Sequence, residues 1–267
     1  MARVATNQDR AEAERRHYVY LQHARVISRK GKTVMCEEIT DYRITPTDQA
    51  YNAELVKLNG RLLRKKNYIT YTTLAPAKDA SQNKGDASHD SLDLDDDDTD
   101  RDLVEHMRMH LINDKSKDGI ESGLFPLTSK GQADYLFHLV GKEHINGRDV
   151  FHIDFRPKVK DDYGWKGDAY IDTASFEPVV IRTDMARKIP FAVRTLLGTN
   201  VPGLGFNVVY APQPDGVWFP VTFGTEFKLH VLFFFSRNIT INADNRDFQK
   251  THVSSKILDA APPEPKP

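Results

Sequence analysis

The chain has 267 residues, 39% hydrophobic and 28% charged, with a formal net charge of −1. That length fits one large domain or two modest ones. The balanced charge removes any whole-chain electrostatic case for binding nucleic acid. The single cysteine, Cys36, excludes an intramolecular disulfide and a cysteine-based zinc cluster. The longest apolar run, Val231 to Phe235, is far short of the ~18 residues that a membrane-spanning helix needs.

The opening, MARVATNQDRAEAERRHYVY, lacks the apolar core of a signal peptide. Residues 9–16 favour a short helix, and 1–16 are read as a helix or tail. From His17 the composition turns to Tyr, Val, Ile and Thr, as strands prefer. Lys30-Gly31-Lys32 predicts the turn of a long hairpin, with Cys36 a partly buried strand residue rather than a nucleophile. A further strand fits residues 50–60, closed by Asn59-Gly60, a pair suited to the positive φ of a tight turn.

Residues 75–101 break the composition. They hold nine Asp against two Lys and one Arg, a net of −6, and no Glu, aromatic or β-branched aliphatic residue. Such a stretch buries too little apolar area to offset its ordering entropy, and is expected to be a disordered acidic insert. The run from Asp93 to Asp98 lacks the Gly and Glu spacing of an EF-hand. Residues 102–112 then carry helical spacing, with Leu103, Met107 and Leu111 on one face. His106 and His110 share a face as well. They lack the Glu of a zinc-protease helix and a third ligand, so no metal site is expected.

From Leu124 the pattern is that of strands. Asn146-Gly147, Asp172 to Ser175 and Asp215-Gly216 predict turns between apolar arms. Residues 186–205 interrupt the series and read as a short helix or lid ending at Gly198, followed by a loop. Phe227, Leu229, Val231, Phe233, Phe235, Ile239 and Ile241 fall on one parity. Leu232 and Phe234 fall on the other, which implies cover on both faces there. The tail from 251 to 267 is expected to be disordered. Short turns force antiparallel neighbours. The reading is therefore mainly β (α+β): a large curved antiparallel sheet of nine to eleven strands, open on one side, with a few helices on the concave side.

The long N-terminal hairpin, the Asn146-Gly147-Arg148 turn, Gly167 to Asp172 with Pro178, and Asp215-Gly-Val-Trp-Phe-Pro220 resemble bacterial outer-membrane lipoprotein-sorting proteins, the LolA-like half-barrels. The resemblance spans about 17–250, read as one domain. It implies a periplasmic or envelope protein whose leader has been removed, although the sequence read literally is cytoplasmic. It also implies an apolar cavity for an acyl chain or lipidated protein, and no enzyme activity. Cavity candidates are Trp165, Phe206, Val208, Tyr210, Trp218, Phe227, Val231 and Phe233, each of which would serve equally as ordinary sheet core. An envelope protein-interaction or sensor module of the same fold is the alternative. His152 and Asp154 share a strand face, which permits acid–base pairing. No nucleophile elbow, phosphate loop or dinucleotide fingerprint accompanies them, and no cofactor or metal is expected. The oligomeric state is left open.

Overall fold

Turn chemistry sets the order of the fold. The computed structural model describes residues 1–47, 51–74, 98–111, 116–117, 120–121, 126–159, 165–185, 199–200, 205–231 and 235–251. Helix α1 (Ala2–Arg15) precedes a meander of β1 (Tyr18–Lys30), β2 (Thr33–Pro46), β3 (Tyr51–Arg64) and β4 (Asn67–Tyr71). Helix α2 (Thr99–Leu111), the two-residue strands β5 (Ser116–Lys117) and β6 (Ile120–Glu121), and helix α3 (Ser129–Gln132) follow. The second meander is β7 (Tyr135–Ile145), β8 (Arg148–Pro157), β9 (Trp165–Asp172), β10 (Pro178–Met185), β11 (Thr199–Asn200), β12 (Gly205–Pro212), β13 (Trp218–Val231) and β14 (Phe235–Lys250).

The strands lie in the order β4-β3-β2-β1-β14-β13-β12-β10-β9-β8-β7, with β11 beside β13, and their pairs are antiparallel. The first and last long strands meet at the centre, so the two meanders are halves of one sheet. Its edges, β4 and β7, do not pair with each other, and the sheet is an open half-barrel rather than a closed one. The Arg148 guanidinium in β8 lies 5.0 Å from the Trp218 ring in β13. Those strands stand four steps apart, ~19 Å in a flat sheet. The contact requires the sheet to bend strongly.

Both long helices fill the concave side. Val4 of α1 and Leu103 and Val104 of α2 join one apolar cluster with Ala24, Cys36, Phe155, Ile181, Val208 and Ile239 of the sheet. Helix α1 crosses the end that bears the Asp172 to Ser175 and Asp215-Gly216 turns. Gln8 Nε2 donates to Glu177 (2.7 Å), and Arg15 Nε donates to the Trp218 carbonyl (2.6 Å). No helix among the described residues is long and apolar enough to cross a membrane.

Three sequence expectations need correction. Asn59-Gly60 is not a turn: β3 runs through it, and the chain reverses at Lys65 and Lys66, both at positive φ. The glycine serves packing instead. The Tyr71 ring lies across it, and a Cβ there would stand 2.1 Å from the ring. The acidic stretch does not stay solvated to residue 101, because Asp100 is buried in α2, where Arg237 neutralises it. The expected loop around residue 200 contains strand β11. Most of the proposed lid, residues 75–97, Leu232 to Phe234 and the tail beyond 251 lie outside the described residues. The turns at Lys30-Gly31, Asn146-Gly147, Asp172 to Ser175 and Asp215-Gly216 stand as expected, with Asn146 and Gly147 at φ 52° and 75°.

Asp172 organises the β9–β10 turn. Its Oδ1 accepts from the Ala174 and Ser175 amides (2.9 and 2.7 Å) and the Ser175 hydroxyl (3.0 Å). Its Oδ2 accepts from Arg148 (3.1 Å). Burial works against this charge. The hydrogen bonds from Ser175, Arg148 and Ala174 outweigh it and hold the carboxyl below the usual 3.8. Asp172→Ala should therefore destabilise the fold by about 2 kcal/mol in urea denaturation at neutral pH. Because the folded value is depressed, the gap to wild type should shrink as pH falls below about 4.

Candidate functional site

The register aligns one row of residues across the inner face. From the β7 edge inward, direct cross-strand neighbours are Leu139, Ile153, Ala169, Ile181, Val208, Phe223, Ala243, Ala24, Thr40 and Leu58. Nine of the ten are buried, from Ile153 to Leu58. Leu139, at the edge, is 58% exposed. The apolar interior is thus sealed across the sheet and reaches the surface at β7.

Aromatic rings gather at the same side. Trp165 and Phe206 meet edge-to-face at 4.8 Å, and Phe206 lies 5.1 Å from Phe223. Phe155 stands between Tyr135 (6.2 Å) and Phe137 (6.4 Å). The Trp165 amide donates to the Tyr135 hydroxyl (3.2 Å) and ties the two groups together. Tyr135, Phe137, Trp165 and Phe206 are half-buried. Trp165, Phe206 and Tyr135 sit at or beside the first residues of β9, β12 and β7, which places them at one end of the half-barrel. The opposite end holds α1 and the turns at Asn146-Gly147, Asp172 to Ser175 and Asp215-Gly216.

Of the eight sequence candidates, Val208, Tyr210, Trp218 and Phe227 are buried in the shared core, and Trp165 and Phe206 line its half-buried margin. Val231 ends β13 opposite Phe235, and its side chain and Phe233 lie outside the described residues. Phe223, Tyr135 and Phe137 belong to the same lining. The alternation of β7 and β13 carried their signal.

No local sequence pattern marks the polar attachment of α2. Arg108, 2% exposed, donates from Nε to Glu38 (2.8 Å) and from Nη1 to the Tyr42 hydroxyl. The Tyr71 hydroxyl donates to the other Glu38 oxygen (2.8 Å) and contacts Cys36 Sγ (3.4 Å). One turn of sheet away, Asp100 accepts from Arg237 (2.6 and 2.7 Å) and from Ser28 (2.6 Å). Burial raises the Glu38 carboxyl, while Arg108 and Tyr71 pull it back. A guanidinium keeps its proton, so the carboxylate remains its counter-charge. Burial pushes the Cys36 thiol up to about 12, which leaves it protonated and unreactive at neutral pH.

The acid–base pair read from the sequence is a different one. His152 contacts Glu143 and Asp168, not Asp154, on the outer face. His106 is half-buried on α2, and the side chain of His110 lies outside the described residues. Among the described residues no group of three or more His, Cys, Asp or Glu side chains could hold a metal ion.

No family model matches the chain, and no curated protein matches it. Solved structures do. An outer membrane lipoprotein-sorting protein domain from Vibrio parahaemolyticus is similar at 11% identity and a TM-score of 0.38, over 94% of each chain. A DUF1329 family protein from Desulfovibrio piger is similar at 12% identity and 0.38, over 92% of this chain and 90% of that one. A LolA superfamily protein from Nitrosomonas europaea is similar at 9% identity and 0.38, over 96% and 97%.

The buried pair makes a sharp prediction. Arg108→Met strands Glu38 in the interior and should destabilise the protein by about 3–5 kcal/mol. Adding Glu38→Leu should recover most of that loss, since two apolar groups replace two charges. Urea denaturation of the single and double variants checks it. A single variant within about 1 kcal/mol of wild type would show that the pair does not hold α2.

Proposed function

We propose that this chain is a non-catalytic envelope carrier that holds an acyl chain, free or attached to a protein, in the apolar interior of its half-barrel. One observation carries the reading. The transverse row, apolar except for Thr40, is buried over nine strands and reaches the surface at Leu139 on β7, the strand that also bears half-buried Phe137 and Tyr135, with half-buried Trp165 and Phe206 at the same end as Tyr135. A linear hydrocarbon suits such a lining, because it needs apolar contact and no fixed hydrogen-bond partner. Each buried methylene gains ~0.8 kcal/mol. A chain of about fourteen methylenes gains on the order of 10 kcal/mol before ordering costs, in the range of micromolar binding. The sequence resemblance to lipoprotein-sorting proteins implies the same class of ligand and a periplasmic location.

A second reading has its own support. Strand β7 is an edge, and Leu136 and Val140 on it are 46% and 52% exposed. An extended segment of an envelope protein could add to that edge through main-chain hydrogen bonds.

Titration with a fluorescent fatty acid separates the two. On the carrier reading the protein saturates, and Phe206→Asp weakens affinity more than tenfold. Arg25→Asp, on the outer face of β1, leaves it unchanged. No uptake by folded wild-type protein would sink the carrier reading and leave the edge-strand one.

A further inference from the structure

The outer face beside the β7 edge holds a histidine with both ring nitrogens committed to carboxylates. His152 sits in β8. Its Nδ1 lies 2.6 Å from Glu143 Oε1 in β7, and its Nε2 lies 2.7 Å from Asp168 Oδ1 in β9. In register His152 stands opposite Gly141 and Tyr170, so the two carboxylates are its diagonal neighbours on either side. The imidazole therefore bridges three strands, the outermost being the sheet edge.

Hydrogen-bond chemistry fixes which form of the ring fits. A neutral imidazole donates from one nitrogen only, and the other presents a lone pair. A lone pair facing a carboxylate oxygen at this distance is repulsive. The imidazolium donates from both. The ring stacks on Tyr170 (4.6 Å, 27°), with the Arg182 guanidinium 5.4 Å from that tyrosine ring. An aromatic face favours cations. Asp154 lies on the same strand face, opposite His138 of β7 and Asp168 of β9. The groups facing the ring are thus Glu143, Asp168 and Asp154 as carboxylates, with His138, Tyr170 and Arg182 beyond them.

We propose that His152 is a proton-dependent clamp that fastens edge strand β7 to the sheet, and with it the margin at which the apolar interior opens. In the protonated form the clamp ties β7 to β8 and β9. On deprotonation one of its two arms is lost. Among the described residues strand β7 has no second strand neighbour to retain it, and a bulge between Leu139 and Gly141 already interrupts its pairing with β8. Burial of the ring lowers its proton affinity. The hydrogen bonds to Asp168 and Glu143 and their negative charges outweigh that and raise it above the usual 6.5. A raised folded value contributes stability that is full below the unfolded value of about 6.5 and is lost as pH rises through the folded one. The clamp is thus closed in mildly acidic surroundings and open in alkaline ones, whatever the interior carries.

The test is NMR on the full chain. The His152 ring is titrated, and amide exchange in β7 is followed across the same pH range, corrected for intrinsic rates and referenced to β1. The expected result is a midpoint above 6.5 and a several-fold fall in β7 protection through that midpoint, with β1 unchanged. His152→Gln should abolish the pH dependence. Glu143→Gln, which keeps the histidine and alters only a half-exposed partner, should lower the midpoint and flatten the β7 response. A midpoint at or below 6.5, or β7 protection that does not follow it, overturns the proposal.

Discussion

Arg108 carries its charge into the interior, and the seating of α2 follows from what that charge requires. An unpaired guanidinium at 2% exposure would be prohibitive, so Glu38 must face inward on β2 where the strand's alternation would otherwise want an apolar residue. Glu38 in turn needs its second oxygen satisfied. Tyr71 supplies the hydroxyl from β4, and reaches it only because Gly60 of β3 has no side chain in the way. Three strands and a helix are thus fixed by one charge. The Asp100–Arg237 pair repeats the device near the start of α2 and reaches β14, in the other meander.

Such an attachment differs from that of a hydrophobic plug. Apolar contacts tolerate sliding, whereas a buried, fully hydrogen-bonded ion pair specifies one position and is costly to half-break. The contrast with the β7 side is therefore physical. The β1–β2 half is locked by polar geometry. On the other side the lining residues Tyr135, Phe137, Trp165 and Phe206 are aromatic and half-buried, as an interior that admits hydrocarbon would need. The outer-face His152 bridge stands at that same edge, where β7 has one strand neighbour among the described residues instead of two.

Most of the sheet was legible because turn chemistry and alternation are local. Asn146-Gly147, Asp172 to Ser175 and Asp215-Gly216 each announce a reversal, and each is one. Asn59-Gly60 carries the same chemistry as Asn146-Gly147 and lies inside a strand. The difference is the Tyr71 ring, which comes from a later strand and leaves no mark in the local sequence. The same limit explains the site. Trp165, Phe206, Val208, Tyr210, Trp218 and Phe227 were readable from parity as inward-facing. Glu38 was readable only as an inward carboxylate in want of a partner 70 residues away. Asp100 looked like part of a solvated acidic run until Arg237, 137 residues on, was placed against it.

The central claim is that the half-barrel is a container for hydrocarbon. Native mass spectrometry tests it most directly, on protein expressed with an export signal and purified without detergent. The account predicts a discrete added mass that disappears on extraction with organic solvent and is recovered in the extract as a lipid. A bare protein mass in every preparation, with no lipid in the extract, would contradict it.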